Sequence, residues 1–270
     1  MPNFAKMGKE LFVSHLLLSC LFVFCFKSDA FAGKGDDLTV PANRYLSSVV
    51  AVRAEGTGYY RGKASPIIVP KAGMWLSRRL VKAKAHKNGM GFIVDRSGVI
   101  ATNAHTLAGL NQVSVILSDG RELAGKIRYT NTNEDFALID IDSRDNFTPI
   151  GFGDSDLVRR GDRAFAVISR EKKNEIEMAA AKGVVIGLKQ AFVSNERKVK
   201  FNNLIKTNIL LPYGSSGGPL VDKEGNLIGM NVAGDKTRKI SYAIPSNRIK
   251  ELYGSYLKEN MPEGETQHNP

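Results

Sequence analysis

Twelve short apolar segments, separated by turns rich in Gly and Asp, restrict this chain to an antiparallel β architecture before any motif is considered. They are Tyr45–Arg53, Gly91–Asp95, Val99–Asn103, Gln112–Leu117, Leu123–Tyr129 and Phe136–Ile141, then Arg163–Ile168, Ala181–Leu188, Asn202–Thr207, Pro219–Val221, Leu227–Val232 and Ile240–Ile244. Asp95-Arg96-Ser97-Gly98, Ser118-Asp119-Gly120 and Lys223-Glu224-Gly225 supply hairpin chemistry, because Gly accepts positive φ and Asp bonds its own backbone. Little helical periodicity lies between the segments, so they read as a barrel or a sandwich. One helix is expected at the end. Ile249, Leu252, Tyr253, Tyr256 and Leu257 form one apolar stripe, Ser246 can act as N-cap, and the stripe should pack on the second half of the strands.

The N-terminus has a different character. Lys6 and Lys9 precede an apolar run from Leu11 to Phe26, and Ala30-Phe31-Ala32 follows. This is the layout of a secretory signal over residues 1–32, cut after Ala32. The second reading is an uncleaved membrane anchor, but the run is shorter than the roughly 20 residues a span needs. It also carries Ser14 and His15. The chain is therefore read as exported, periplasmic or secreted.

Both cysteines, Cys20 and Cys25, fall inside the signal. What remains has no thiol, which excludes disulfides, thiol catalysis and thiolate metal sites. About 240 residues bury enough surface to fold without such staples. The net charge of +11 becomes +10 when the signal is removed. No nucleic-acid module and no interleaving of aromatic with basic residues accompanies it, so nucleic acid is not an expected partner. Much of the charge sits at residues 61–88, which hold eight basic residues, no acid and the single tryptophan, Trp75. That stretch reads as an inserted loop, either facing an anionic surface or partner or simply solvated. Residues 259–270 read as a disordered tail.

Gly214-Ser215-Ser216-Gly217-Gly218-Pro219-Leu220 carries the chemistry. A serine hydroxyl is a weak nucleophile until a base takes its proton, and its attack on a carbonyl creates an oxyanion that needs preorganised donors. A glycine two residues ahead of Ser216 lets the backbone turn so that two N–H groups face one point. The base should be a histidine. His15 lies in the signal, His86 in the basic loop and His268 in the tail, which leaves His105, just past the apolar segment Val99–Asn103. The third group should be a carboxylate on ordered backbone, and Asp135 begins the strand Phe136–Ile141, with Asp140 and Asp142 as rivals. This chemistry requires no metal and no cofactor.

Gly89-Met90-Gly91-Phe92 through Thr102-Asn103-Ala104-His105, Asn133 through Asp140, and Gly214 through Leu220 together resemble the catalytic domain of HtrA/Deg-type serine proteases in the trypsin-like superfamily. Leu117 to Glu122, Gly153-Asp154-Ser155 and Tyr242 to Ser246 extend the resemblance over about Val49 to Leu257. The resemblance implies two six-stranded antiparallel barrels, residues 33–147 and 148–258 with the closing helix. The site would lie between them. It implies His105, Asp135 and Ser216 as the triad, and the N–H groups of Gly214 and Ser216 as the oxyanion hole. Leu211, Ile240, Ser241 and Tyr242 would form the substrate pocket, unfolded polypeptides would be the substrates, and a homo-trimer would be the common assembly. The chain departs from the pattern in three places. No PDZ domain follows the helix, Ser215 replaces the usual Asn, and Ser169-Arg170-Glu171 replaces the usual Gly-Asn-Pro.

Two other readings compete. Gly214 to Gly218 also fits the nucleophile turn of an α/β-hydrolase, but that fold needs Asp and His after the serine, and only His268 follows. A non-catalytic, protease-like module that binds through the basic loop is the remaining alternative. Nothing in packing would demand its three triad residues.

Overall fold

The computed structural model describes residues 45–61, 80–172, 175–194 and 199–260. The expected signal at residues 1–32, Trp75 and residues 261–270 lie outside them. Twelve strands are present: β1 (Val49–Arg61), β2 (Leu80–Ile93), β3 (Val99–Thr102), β4 (Gln112–Ile116), β5 (Glu122–Asn131), β6 (Phe136–Ile141), β7 (Arg163–Lys172), β8 (Glu175–Ser194), β9 (Val199–Thr207), β10 (Pro219–Val221), β11 (Leu227–Asp235) and β12 (Ile240–Pro245). The first six close as a barrel in the order β1-β2-β3-β6-β5-β4, and the last six close in the order β10-β11-β12-β9-β8-β7. All pairings are antiparallel, and closure leaves neither sheet with an open edge strand of its own. A short helix α1 (Ala104–Leu107) follows β3, and α2 (Ser246–Asn260) ends the described chain.

Alternation along each strand decides where its side chains go. In β1 and β6, Val50, Val52, Ala137, Ile139 and Ile141 fill the first barrel. The residues between them, Val49, Phe136 and Leu138, point outward and are equally buried. Their cluster continues through Met90, Phe92, Val167, Met230 and Val232 to Ile249 and Leu252 of α2. The outer faces of the two barrels are thus pressed together, and a strand such as β6 is apolar on both sides. Residues 142–162 pass from one barrel to the other as a zipper. Ile150 N–H donates to Ile93 O on the first barrel, and Gly153 N–H donates to Leu227 O on the second, both at 2.9 Å.

Two strand pairs are longer than the sequence pattern implied. β1 and β2 pair from Val49↔Phe92 out to Arg61↔Leu80, so Leu80–Asn88 are strand, not part of an inserted loop. The segment Val81-Lys82-Ala83-Lys84-Ala85 does alternate, but its lysines disguise it. Likewise β7 and β8 pair out to Lys172↔Glu175. Residues 62–79 of the expected loop lie outside the described chain.

The helix α2 forms where expected and reaches Asn260, two residues into the expected tail. Its capping differs. The Ser246 hydroxyl donates to Gly153 O at 2.9 Å, and the Asn247 N–H is received by Ser155 Oγ at 3.1 Å. The cap is therefore supplied by the inter-barrel connection. Asn247 Nδ2 also donates to Asp154, and with the Asp156 N–H this holds the Asp154 carboxyl below its ordinary value. The stripe packs on the second barrel through β11 and β12, yet α2 also grips the first. Arg248 pairs with Glu134 at 2.7 Å, and the Tyr253 hydroxyl donates to Asp95, with burial raising the Tyr253 pKa.

The apolar grip should outweigh the ionic one. Ile249 is fully buried, and Ile249→Ala should cost about 3 kcal/mol through lost transfer energy and a cavity. Arg248 and Glu134 are near 40% exposed, at 42% and 37%, so Arg248→Ala should cost under about 1 kcal/mol. Denaturant midpoints of the two variants check the order.

Candidate active site

Asp135 is presented by a constrained turn. The Asn131 side-chain oxygen accepts the N–H groups of Asn133 and Glu134, both at 3.1 Å, which folds the chain before β6. Asp135 then adopts φ +50°, unusual for a residue with a side chain. Asn103 Nδ2 holds its carbonyl at 3.0 Å. The cost of such backbone, of the order of 1 kcal/mol, persists only where surrounding structure imposes it. The result is a carboxylate only 2% exposed whose two oxygens serve one residue. Oδ1 accepts the His105 backbone N–H at 2.8 Å, and Oδ2 meets His105 Nδ1 at 2.7 Å. The ring is thereby fixed through Nδ1, while Asp140, a rival at the sequence level, pairs with Arg128.

His105 sits in α1, which is four residues long and cannot satisfy its own last carbonyls. Lys87 of β2 does so, donating to His105 O at 3.0 Å and Ala108 O at 3.2 Å. The Thr106 hydroxyl donates to Asn103 O at 2.6 Å, tightening the same turn. Nothing in the sequence marked Lys87, because its role depends on backbone placement between β2 and α1.

His105 and Ser216 line one cavity of 340 Å³ between the barrels. His86, Lys87 and Asn88 form its wall on the first barrel, and Ser169, Tyr213 and Gly214 its wall on the second. The structure also separates the two serines. Ser215 is fully buried and its Oγ accepts the Ser169 N–H at 3.1 Å, so its side chain faces inward. Ser216 is the one on the cavity. The Ser215 N–H is taken by Pro212 O at 3.3 Å, whereas among the described residues the N–H groups of Gly214 and Ser216 have no hydrogen-bond partner.

Glycines permit this approach. Gly214 and Gly217 have φ of +83° and +85°. A Cβ on Gly217 would lie 2.1 Å from Met90 O and 2.5 Å from Thr102 Oγ1. The turn is fastened to the first barrel by the Met90 N–H donating to Ser216 O at 2.8 Å.

The residues expected in a substrate pocket stand elsewhere on the second barrel. Leu211 is buried in its core cluster. Ile240, Ser241 and Tyr242 lie on β12, with Ser241 sealed against Thr207 at 2.7 Å and Tyr242 packed on Phe192 at 5.0 Å. None of the four lines the cavity shared by His105 and Ser216. Tyr213, which does, was not foreseen, although an aromatic directly before Gly214 was its available signal. Among the described residues no cluster of metal-ligating side chains is present.

Residues 89–230 match the family described as trypsin-like peptidase domain. The chain is similar to serine protease HTRA1A of Danio rerio, 34% identical over 66% of this chain and 37% of that protein. It is similar to the periplasmic pH-dependent serine endoprotease DegQ of Escherichia coli, 32% identical over 77% of this chain and 46% of that protein. The matched part is thus less than half the length of these relatives. Two structures of the HtrA-type protease AlgW with a decapeptide share the fold, with TM-scores of 0.67 and 0.61. Each is 25% identical and the matches cover 82% and 80% of this chain and 66% of each of theirs.

Gly217→Ala tests the geometry. Its Cβ cannot be placed without moving the seam, and a displacement near 1 Å should slow reaction of Ser216 with a serine-directed phosphonate by about a hundredfold. Labelling kinetics on the folded variant read this out.

Proposed function

The chain belongs to the trypsin-like peptidase domain family, and from that membership and the cavity geometry we propose that it is a serine endopeptidase of HtrA/Deg type, exported and acting on unfolded polypeptides. The observation that carries the reading is the buried Asp135 carboxylate on His105 Nδ1 at 2.7 Å, in a ring that opens onto the cavity holding Ser216. Relatives described as periplasmic endoproteases support export, as does the signal-like N-terminus.

In this mechanism Ser216 Oγ attacks the scissile carbonyl carbon while His105 Nε2 takes its proton. Asp135 holds the Nδ1 tautomer and stabilises the imidazolium. The carbonyl π electrons move to oxygen, and the N–H groups of Gly214 and Ser216 receive that charge. Collapse of the tetrahedral intermediate breaks the C–N bond. His105 returns its proton to the leaving amine, and water, activated by the same ring, then releases the acyl group from Ser216.

The full chain and its Ser216→Ala variant are compared on an unfolded, disulfide-free protein. The wild type should cleave it, and the variant should be slower by at least about a thousandfold. Equal cleavage by both would place the nucleophile elsewhere, and none from either, with both folded, would favour a binding module.

A further inference from the structure

The lining of the cavity between the barrels contains no carboxylate, and a lysine stands on each side of it: Lys87 in the wall of the first barrel and Lys236 over the Tyr213 ring on the second. On the first barrel it is lined by His86 and Lys87, and Lys87 has its ammonium fixed on the His105 and Ala108 carbonyls. On the second barrel the wall is Tyr213, a tyrosine 89% exposed. Lys236, from the turn between β11 and β12, places its Nζ 3.8 Å from the centre of that ring. A cation so placed gains from the ring's negative face and loses side-chain freedom. It is thus held at the cavity rim instead of sweeping through solvent. The acid of the same turn, Asp235, receives the Arg238 N–H at 2.9 Å and pairs with its side chain at 3.7 Å, so it does not neutralise Lys236. The other acid of the site, Asp135, is 2% exposed and committed to His105. Elsewhere on the second barrel, Lys206 of β9 lies 5.9 Å over the Tyr242 ring of β12.

From this placement we propose that the cleft selects acidic polypeptide segments, with Lys236 and Tyr213 as specificity-determining residues. The proposal rests on the peptidase reading above and names its substrate class. A carboxylate on the bound chain beside the scissile bond would meet Lys236 on one side and the Lys87 wall on the other. Basic flanks would be opposed by the same groups. The aromatic face of Tyr213 gives the substrate side chains an apolar surface to cover, which accounts for a large ring left in solvent at the mouth of a cavity.

Peptides sharing one apolar core and flanked by Glu, Gln or Lys are titrated by fluorescence anisotropy against the full chain carrying Ser216→Ala, which separates binding from turnover. The Glu-flanked peptide should bind about fivefold more tightly than the Gln-flanked one, and more salt should erase the difference. Lys236→Glu on the same background should abolish or reverse the preference while leaving the affinity for the Gln-flanked peptide within about twofold. Equal affinity for all three peptides would overturn the proposal, as would a preference that survives Lys236→Glu. If the charge preference holds but the unsubstituted chain neither cleaves the peptides nor reacts with a phosphonate, the peptidase reading fails and the acidic-peptide cleft stands.

Discussion

The Met90 N–H that donates to Ser216 O at 2.8 Å is where the two barrels become one site. Met90 belongs to a strand whose neighbours position His105, and Ser216 belongs to a turn of the other barrel. Gly217 and Gly218 let these backbones touch, since any side chain there would strike Met90 O or Val167 O. Behind the contact lies the continuous apolar cluster from Val49 and Phe136 through Val167 and Met230 to α2. Burial of that shared surface supplies the main stabilisation, at about 25 cal/mol per Å² of apolar area removed from water. The single hydrogen bond contributes register more than energy, about 1 kcal/mol net.

The proposed triad is therefore a product of packing between two closed sheets. Asp135 is held by a turn of the first barrel and by Asn103, His105 by the same barrel through Lys87, and Ser216 by the second. Lys87 also links two features that seem separate. It terminates the short helix that carries the base, and it places a fixed cation on the wall of the cleft. Ser215 has a comparable double effect. By accepting the Ser169 N–H it removes itself from the cavity and ties the Ser169 strand to the turn that holds Gly214. In a chain where Ser169-Arg170-Glu171 and Ser215 both depart from the family pattern, the two departures meet in one hydrogen bond.

Much of the fold was legible because each strand leaves a period of two or an unbroken apolar run, and each turn its Gly or Asp. All twelve expected strands exist. The extensions were hidden for a physical reason. The Lys82 and Lys84 positions of β2 read as a solvated basic loop, and only the partner strand β1 makes them a ladder. His105, Asp135, Gly214 and Ser216 stood out because nucleophilic chemistry needs those residue types, and few others of their kind lay on ordered backbone. The structure brings His105, Gly214 and Ser216 to one cavity, with Asp135 behind the ring. Lys87 and Lys236 were illegible because their roles come from contacts far apart in the chain, whereas Tyr213, directly before Gly214, was overlooked. The N-cap of α2 was misread for the same reason, since Ser155 and Gly153 lie more than ninety residues before it.

The central claim is that this seam presents Ser216, and not Ser215, as a nucleophile activated by His105. Peptide mapping by mass spectrometry after reaction with a serine-directed phosphonate tests it most directly. The account predicts one adduct, on Ser216, lost in His105→Ala. An adduct on Ser215, or one on Ser216 that forms equally well without His105, would contradict it.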